Sequence, residues 1–261
     1  MTNKIIVSAI QLTSSGNKEE NLKKVDEFID IAVLSKTQLV ALPELFNVIT
    51  TPDKEYNFAE SIPGLTINHL ALKAKQNKIF ILAGSILEIS KSRKSYNTSV
   101  LINPQGEIIA KYRKINLFDT TLTRKESDTR LAGEDIVTCS TELGVFGFSI
   151  CYDLRFPELY RELGRKGAQI IFVPAAFLLR TGKDHWATLL RARAIENQVF
   201  IIAPNQFGKA PETGTETYGR SLIIDPWGNV IACASDKECV ITAQLDMDLI
   251  DETKIKLGFK Y

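Results

Sequence analysis

Cys151, Glu44 and Lys114 are residues whose types and positions could together cleave an acyl bond. Val145 to Ile150 is an apolar run that reads as a buried strand. Cys151 follows it directly, and Pro157-Glu158-Leu159 opens a helix expected to reach about Lys166. A thiol on such a turn feels the helix N-terminus, and Arg155 lies four residues further on. Both features lower a thiol pKa and raise the thiolate fraction. Nucleophiles occupy strand-to-helix elbows of this kind in other hydrolase folds, although a small buried hydrophobe is the alternative reading of Cys151. Cys139, Cys233 and Cys239 fit a packing role better. The last two flank a hairpin turn, where they could face one another.

A cysteine nucleophile needs a base and a cationic or hydrogen-bonding group for the oxyanion formed on attack. His185, in Thr181-Gly-Lys-Asp-His-Trp186 at the expected start of a helix, is one candidate base, and as plainly a rim histidine or substrate contact. Glu44 is the other. It follows Leu42-Pro43 at a strand exit, where a glutamate is otherwise simply solvated. The candidate cation is Lys114 in Tyr112-Arg113-Lys114-Ile115. Arg155 and Arg180 could grip a substrate carboxylate through the two-pronged guanidinium, or serve as structural ion-pair partners.

The elements that must position these groups alternate strand and helix. Lys4 to Leu12 reads as a strand. Asn17 with Glu20 resembles a capping box, and Leu22, Val25, Ile29 and Ala32 follow at helical spacing. A strand at Gln38 to Leu42 stops at Pro43. After Pro63-Gly64, a helix carries Ile67, Leu70, Ala71 and Ala74 on one face, and Ile79 to Leu87 is the next strand. Tyr96 to Ile102 and Glu107 to Arg113 flank a turn at Asn103-Pro104-Gln105-Gly106, so the sheet is expected to be mixed.

This order recurs. Ser99-Val-Leu-Ile-Asn-Pro-Gln-Gly-Glu-Ile-Ile-Ala110 aligns with Ser221-Leu-Ile-Ile-Asp-Pro-Trp-Gly-Asn-Val-Ile-Ala232, Lys78 to Ala83 echoes Gln198 to Ala203, and Leu42-Pro43 echoes Val173-Pro174. Two similar half-sheets without a Pro/Gly/Ser-rich linker predict an α/β two-sheet sandwich, helices outside, as one domain over 1–261. The repeat also shows where the halves differ. Glu44 is matched by Ala175, and Lys114 by the acidic Asp236. Glu44, Lys114 and Cys151 all terminate strands.

With 32 basic and 31 acidic side chains the net charge is +1, which argues against a general nucleic-acid binder. The longest uncharged apolar run, Gly167 to Leu179, contains Pro174 and falls short of the ~20 residues of a membrane-spanning helix. Ser8 and Gln11 interrupt the first apolar run, which reads as a cytoplasmic start rather than a signal peptide. Four cysteines without a C-x-x-C pair and only two histidines, His69 and His185, predict reduced thiols, no metal site and no cofactor.

The motifs resemble those of the nitrilase superfamily of carbon–nitrogen hydrolases, whose Glu-Lys-Cys triad matches Glu44 in Leu-Pro-Glu-Leu-Phe46, Lys114 in Tyr-Arg-Lys-Ile115 and Cys151 in Cys-Tyr-Asp-Leu-Arg-Phe-Pro-Glu158. Leu190 to Asn197 and Gly219 to Gly228 are similar to it as well. The resemblance implies a four-layer α-β-β-α sandwich with internal pseudo-two-fold symmetry. It also implies a second acidic residue at Glu126, an oxyanion contact from the Tyr152 backbone N–H, and a homodimer or larger homo-oligomer. Within the superfamily the elbow motif and His185-Trp186 look most like the amidase branch of ω-amidases and deaminated-glutathione amidases, so a small-molecule amide is the implied substrate. N-carbamoyl amide or nitrile hydrolysis, or a non-catalytic assembly role, are the alternatives. Asn116 stands where many relatives have His, and the loop Asp119 to Lys125 lacks their Pro-Gly.

Overall fold

The computed structural model describes residues 3–258, so the ends of the expected 1–261 domain lie outside the described residues. The chain opens with β1 (Lys4–Gln11), α1 (Lys18–Leu34), β2 (Leu39–Ala41) and α2 (Leu65–Asn77). The antiparallel run β3 (Phe80–Ile89), β4 (Ser95–Ile102) and β5 (Ile108–Arg113) follows. After the short β6 (Arg130–Leu131) and β7 (Thr138–Thr141) come β8 (Gly144–Phe148), α3 (Pro157–Arg165), β9 (Ile170–Phe172), α4 (Leu179–Asn197) and β10 (Phe200–Ala203). A separate hairpin, β11 (Phe207–Lys209) and β12 (Glu216–Tyr218), precedes β13 (Leu222–Ile224), β14 (Val230–Cys233), β15 (Cys239–Asp246) and α5 (Asp248–Leu257).

Strand order in the first sheet is β15-β1-β2-β3-β4-β5, with β6 beside β4, and in the second β7-β8-β9-β10-β13-β14. The two orders correspond strand for strand. In each, two parallel pairs joined by helices (β1–β2–β3 and β8–β9–β10) lead into two antiparallel pairs (β3–β4–β5 and β10–β13–β14). Even the helix ends repeat. Lys78 and Gln198, equivalent in sequence, both adopt the left-handed conformation, φ 53° and 46°, where they cap α2 and α4.

Alternation along the strands explains the layers. In the first sheet Val7, Ala9, Leu39, Ala41, Phe80, Leu82 and Leu101 join the core that contains the second sheet. Ile10, Val40, Ile81, Ala83, Val100 and Ile102 instead pack against Leu22, Val25 and Ile29 of α1 and Ile67 and Leu70 of α2. Phe80 of the first sheet meets Phe146 of the second edge-to-face at 6.2 Å. On the far side, Leu159, Tyr160 and Leu163 of α3 and Trp186, Leu190 and Ala194 of α4 cover the second sheet. The result is an α-β-β-α sandwich. No helix among the described residues is long and apolar enough to cross a membrane.

Two local expectations are corrected. Asn17 accepts the Glu19 and Glu20 N–H groups, but its own N–H donates to Ser15 Oγ, so only half of the capping box forms. His185 is well inside α4, which begins at Leu179, because Arg180, Lys183 and Asp184 form the exposed side of the helix's first turns while Gly182 is buried beneath them.

One ion-pair cluster sets the strand that leads to Lys114. Glu88 at the end of β3 receives both Nε and Nη2 of Arg113 at 2.8 Å, Lys111 Nζ at 3.0 Å and Thr98 Oγ1 at 2.8 Å. Burial alone would raise its pKa, but these donors outweigh it and hold the carboxyl down at about 2. A carboxyl depressed on folding stabilises the protein above its unfolded pKa, and the contribution is lost as pH falls towards the folded value. Glu88→Gln is therefore expected to lower the melting temperature at pH 7, with the difference from the parent shrinking as pH falls below about 4.5. A difference independent of pH would refute this.

Candidate active site

Each sheet contributes its strand ends to one cavity of about 390 Å³, lined at its floor by Glu44, Lys114, Glu126 and Cys151. Glu44 lies just beyond β2, where Pro43 ends the strand, and is 3% exposed. Its placement depends on a close approach by β3. A Cβ at Gly84 would stand 1.9 Å from the Pro43 carbonyl oxygen, so only glycine lets the two chains meet there. Ser85 Oγ then accepts the N–H of Leu45, whose φ is 53°. One carboxylate oxygen of Glu44 accepts Lys114 Nζ at 3.0 Å and Asn97 Nδ2 at 2.8 Å, and the other accepts the Ala176 N–H at 2.8 Å.

Lys114 follows β5 directly and is 2% exposed, held between Glu44 and Glu126, whose carboxylate lies 2.8 Å from Nζ. Burial works against its charge, but Glu126, Glu44 and Cys151 more than offset this and raise its pKa. It is an ammonium at any physiological pH. Glu126 also accepts the Phe118 N–H at 2.7 Å and an Arg130 N–H. Burial opposes its ionisation too, yet Lys114 and Arg130 hold its pKa well below the ordinary carboxylate range.

Cys151 opens a tight 3-10 turn, Cys151–Arg155, three residues past the end of β8. Its φ of 48° is a strained conformation for a non-glycine residue, of the kind that collects at functional elbows. The backbone holds it there. Cys151 N–H donates to Pro174 O at 2.9 Å, and buried Asp153 accepts the Ile150 N–H at 2.9 Å. Asp153 further accepts Tyr112 Oη at 2.7 Å and both the N–H and Nδ2 of Asn116 at 2.9 Å. The elbow is thereby tied to the strand that delivers Lys114, and Asn116 has a defined structural use. The Tyr152 N–H has no acceptor among the described residues and is available to a ligand.

The expectation of a low-pKa thiol is overturned. Burial pushes the Cys151 pKa up, and the adjacent Glu44 charge and its hydrogen bond push it further, against the lowering effect of Lys114 and the Ala176 N–H. The turn at Cys151 is a short 3-10 turn, Cys151–Arg155, and α3 begins only at Pro157, so Cys151 is not itself at the N-terminus of that helix. At rest the cluster is a neutral thiol beside a carboxylate and an ammonium.

Arg155 reaches the cavity, where its guanidinium lies 5.1 Å from the Phe177 ring and 5.8 Å from that of Tyr152. It contacts His185 Nδ1 at 3.3 Å and, among the described residues, no carboxylate. His185 and Arg180 are exposed on α4 outside the cavity lining. The structure does not bring them to the cysteine, since α4 turns both outward while Trp186 points into the core. Cys139, Cys233 and Cys239 also stand apart as free thiols. Sequence reasoning missed Asn97, Arg130 and Asp153. Asn97 donates to both Glu44 and Glu126, and a polar run Ser95 to Ser99 in an otherwise apolar strand was the available signal.

A layered sandwich whose strand ends converge on a buried glutamate, lysine and cysteine is the architecture of the nitrilase-like hydrolases. The chain belongs to the carbon-nitrogen hydrolase family, whose model matches residues 6–255. It is 42% identical over 257 residues to a deaminated glutathione amidase of Synechocystis, covering 95% of this chain and 94% of that one. It is 37% identical over 261 residues to an omega-amidase of Xenopus tropicalis, covering 98% and 94%. Among solved structures it is similar to Saccharomyces cerevisiae Nit3, a member of branch 10 of the nitrilase superfamily, with a TM-score of 0.91, 36% identity and coverage of 99% and 96%.

Proposed function

We propose that the protein hydrolyses the terminal amide of a small carboxylate, as an amidase of the ω-amidase or deaminated-glutathione amidase type, through a thioester on Cys151. The observation that carries this reading is that Cys151 lines one cavity with Glu44 and Lys114, with the Lys114 ammonium held between the carboxylates of Glu44 and Glu126. Glu44 takes the thiol proton, and the thiolate attacks the carbonyl carbon. Lys114 Nζ and the Tyr152 N–H stabilise the oxyanion. Collapse expels ammonia, which carries away the proton held by Glu44. Glu44 then takes a proton from water, which attacks the thioester, releasing the acid and restoring the thiol. Glu126 keeps Lys114 in place throughout.

Arg155 is the candidate for the substrate carboxylate, because it lines the cavity without a carboxylate partner among the described residues. Arg155→Gln is expected to raise KM for a carboxylate-bearing amide about 10–100-fold, the worth of a charge-assisted pair, while an uncharged amide is unaffected. Equal effects on both would remove Arg155 from this role.

The test of the function is release of ammonia from α-ketoglutaramate, an N-carbamoyl amino acid and a nitrile, and of the amine cysteinylglycine from deaminated glutathione, whose amide nitrogen carries that dipeptide. Turnover confined to the N-carbamoyl amino acid and the nitrile would overturn the amidase reading. The single domain over 1–261, a homodimer or larger homo-oligomer and a cytoplasmic location belong to the same proposal. An interface is supported by the exposed apolar side chains of Ile195, Trp227, Val230 and Ile231. A reducing compartment is supported by a mechanism that needs Cys151 as a free thiol.

A further inference from the structure

Behind Glu126 the row of alternating charges continues. Arg130, the first residue of β6, is placed by the pairing of β6 with β4, opposite Ser95 and two residues from Asn97. Its Nη1 donates to Glu126, while Nη2 and Nε donate to Glu55 at 2.6 and 3.3 Å. Glu55 also accepts Thr129 Oγ1 at 2.8 Å. The side chains of Arg130 and Glu55 are only 10% and 11% exposed. Read outward from the thiol, the charges are Glu44 (negative), Lys114 (positive), Glu126 (negative), Arg130 (positive) and Glu55 (negative).

We infer that Glu55 and Arg130 are positioning residues for the reaction, acting through Glu126 to hold Lys114 and set the electrostatic potential at Cys151. This rests on the catalytic roles proposed above. Arg130 borders the cavity, but its N–H groups are committed to two carboxylates, so it is not a spare guanidinium for substrate in the way Arg155 is. The Glu55 fork fixes the guanidinium plane so that the remaining edge is aimed at Glu126. Without Arg130, Glu126 would have Lys114 as its one cation and would draw it away from the oxyanion position. Burial makes the charge itself felt over a distance, because little water screens it.

The other charged or titratable groups around Cys151 and Lys114 among the described residues are Glu44, Asp153, Tyr160 of α3, and Arg124, Lys125, Tyr152 and Arg155 on the cavity lining. Since all remain in the variants, a change at Arg130 or Glu55 has a defined sign. Arg130→Gln removes a cation and makes proton loss harder. Glu55→Gln removes an anion and makes it easier.

The experiment follows alkylation of Cys151 by iodoacetamide against pH, read by peptide mass spectrometry, alongside kcat and KM for the best amide of the panel. The alkylation midpoint is expected to move up by about 0.5–1 pH unit in Arg130→Gln and down by a similar amount in Glu55→Gln, with the double variant returning towards the parent. In Arg130→Gln, kcat is expected to fall roughly tenfold with KM nearly unchanged, as for a displaced catalytic group. A loosened fold would not shift the two single variants in opposite directions. Midpoints that move the same way or not at all overturn the inference, as does a rise in KM at unchanged kcat, which would make Arg130 a substrate contact. If Arg130→Gln does not fold, the downward shift in Glu55→Gln decides. Alkylation needs no substrate. Opposite shifts in a protein that turns over no amide would therefore count against the proposed function and leave the electrostatic role standing.

Discussion

Cys151→Ala is expected to lose amide hydrolysis by roughly 10⁴-fold or more, because the variant has no atom that can form the acyl bond. What remains, Lys114 and the Tyr152 N–H, can still polarise a bound carbonyl, and Glu44 can still orient water, so binding should survive while turnover does not. The substitution removes one sulfur from a position that is 8% exposed and keeps the backbone bonds from Cys151 to Pro174 and from Ile150 to Asp153. Folding should therefore change little, and a melting curve close to the parent's separates lost chemistry from lost structure. The complementary measurement is on the parent protein. Rapid quenching with a slow amide should show Cys151 heavier by the acyl group. Ammonia release by the alanine variant at the parent rate would exclude the thioester.

Lys114→Ala is expected to be nearly as severe and to damage the fold as well. Loss of one oxyanion donor in a buried site costs about 10²–10³-fold in kcat. Glu44 and Glu126, whose side chains are 4% and 7% exposed, would then face each other across the space the ammonium held. Stranding buried carboxylates in this way costs about 3–5 kcal/mol, which for a chain of this size is a fall in melting temperature on the order of 10 °C. Arg130 still neutralises part of Glu126, so the lower end of the range is expected. Protonating the stranded carboxylates relieves the repulsion, so the stability gap between variant and parent should narrow from pH 7 to pH 5. Lys114 stays charged in the folded parent over that range. A variant as stable as the parent at pH 7, or with kcat within tenfold of it, would show that the ammonium is not what the cluster is built around.

Much of this protein could be read from local pattern alone. Alternating apolar residues, prolines at strand exits and the matched Asn/Asp-Pro-x-Gly turns at 103–106 and 225–228 determine the strands, the helices and their repetition, because each depends only on neighbours within a few residues. The same local logic placed Glu44, Lys114 and Cys151 at strand ends. Their supports were out of reach. Asn97 bridges Glu44 and Glu126 across 53 and 29 residues, Ala176 meets Glu44 across 132, and Arg130 meets Glu55 across 75. Which partner a buried polar group finds depends on how the strands register and how one sheet lies on the other, and no short-range pattern encodes that.

The direction of the Cys151 pKa makes the same point. The motif alone suggested a helix terminus and an arginine that would stabilise a thiolate. Tertiary structure instead buried the sulfur beside Glu44 and turned Arg155 towards Phe177 and His185. Burial and the Glu44 charge outweigh the Lys114 ammonium and the Ala176 N–H. His185 and Arg180 were excluded from the cavity for a related reason, since the face a helical residue presents is set by what its helix packs against. By itself, then, the sequence determined a repeated α/β sandwich with a cysteine, a lysine and a glutamate at its strand ends. Only the folded chain decided which charges surround them, because that follows from contacts between residues far apart in sequence.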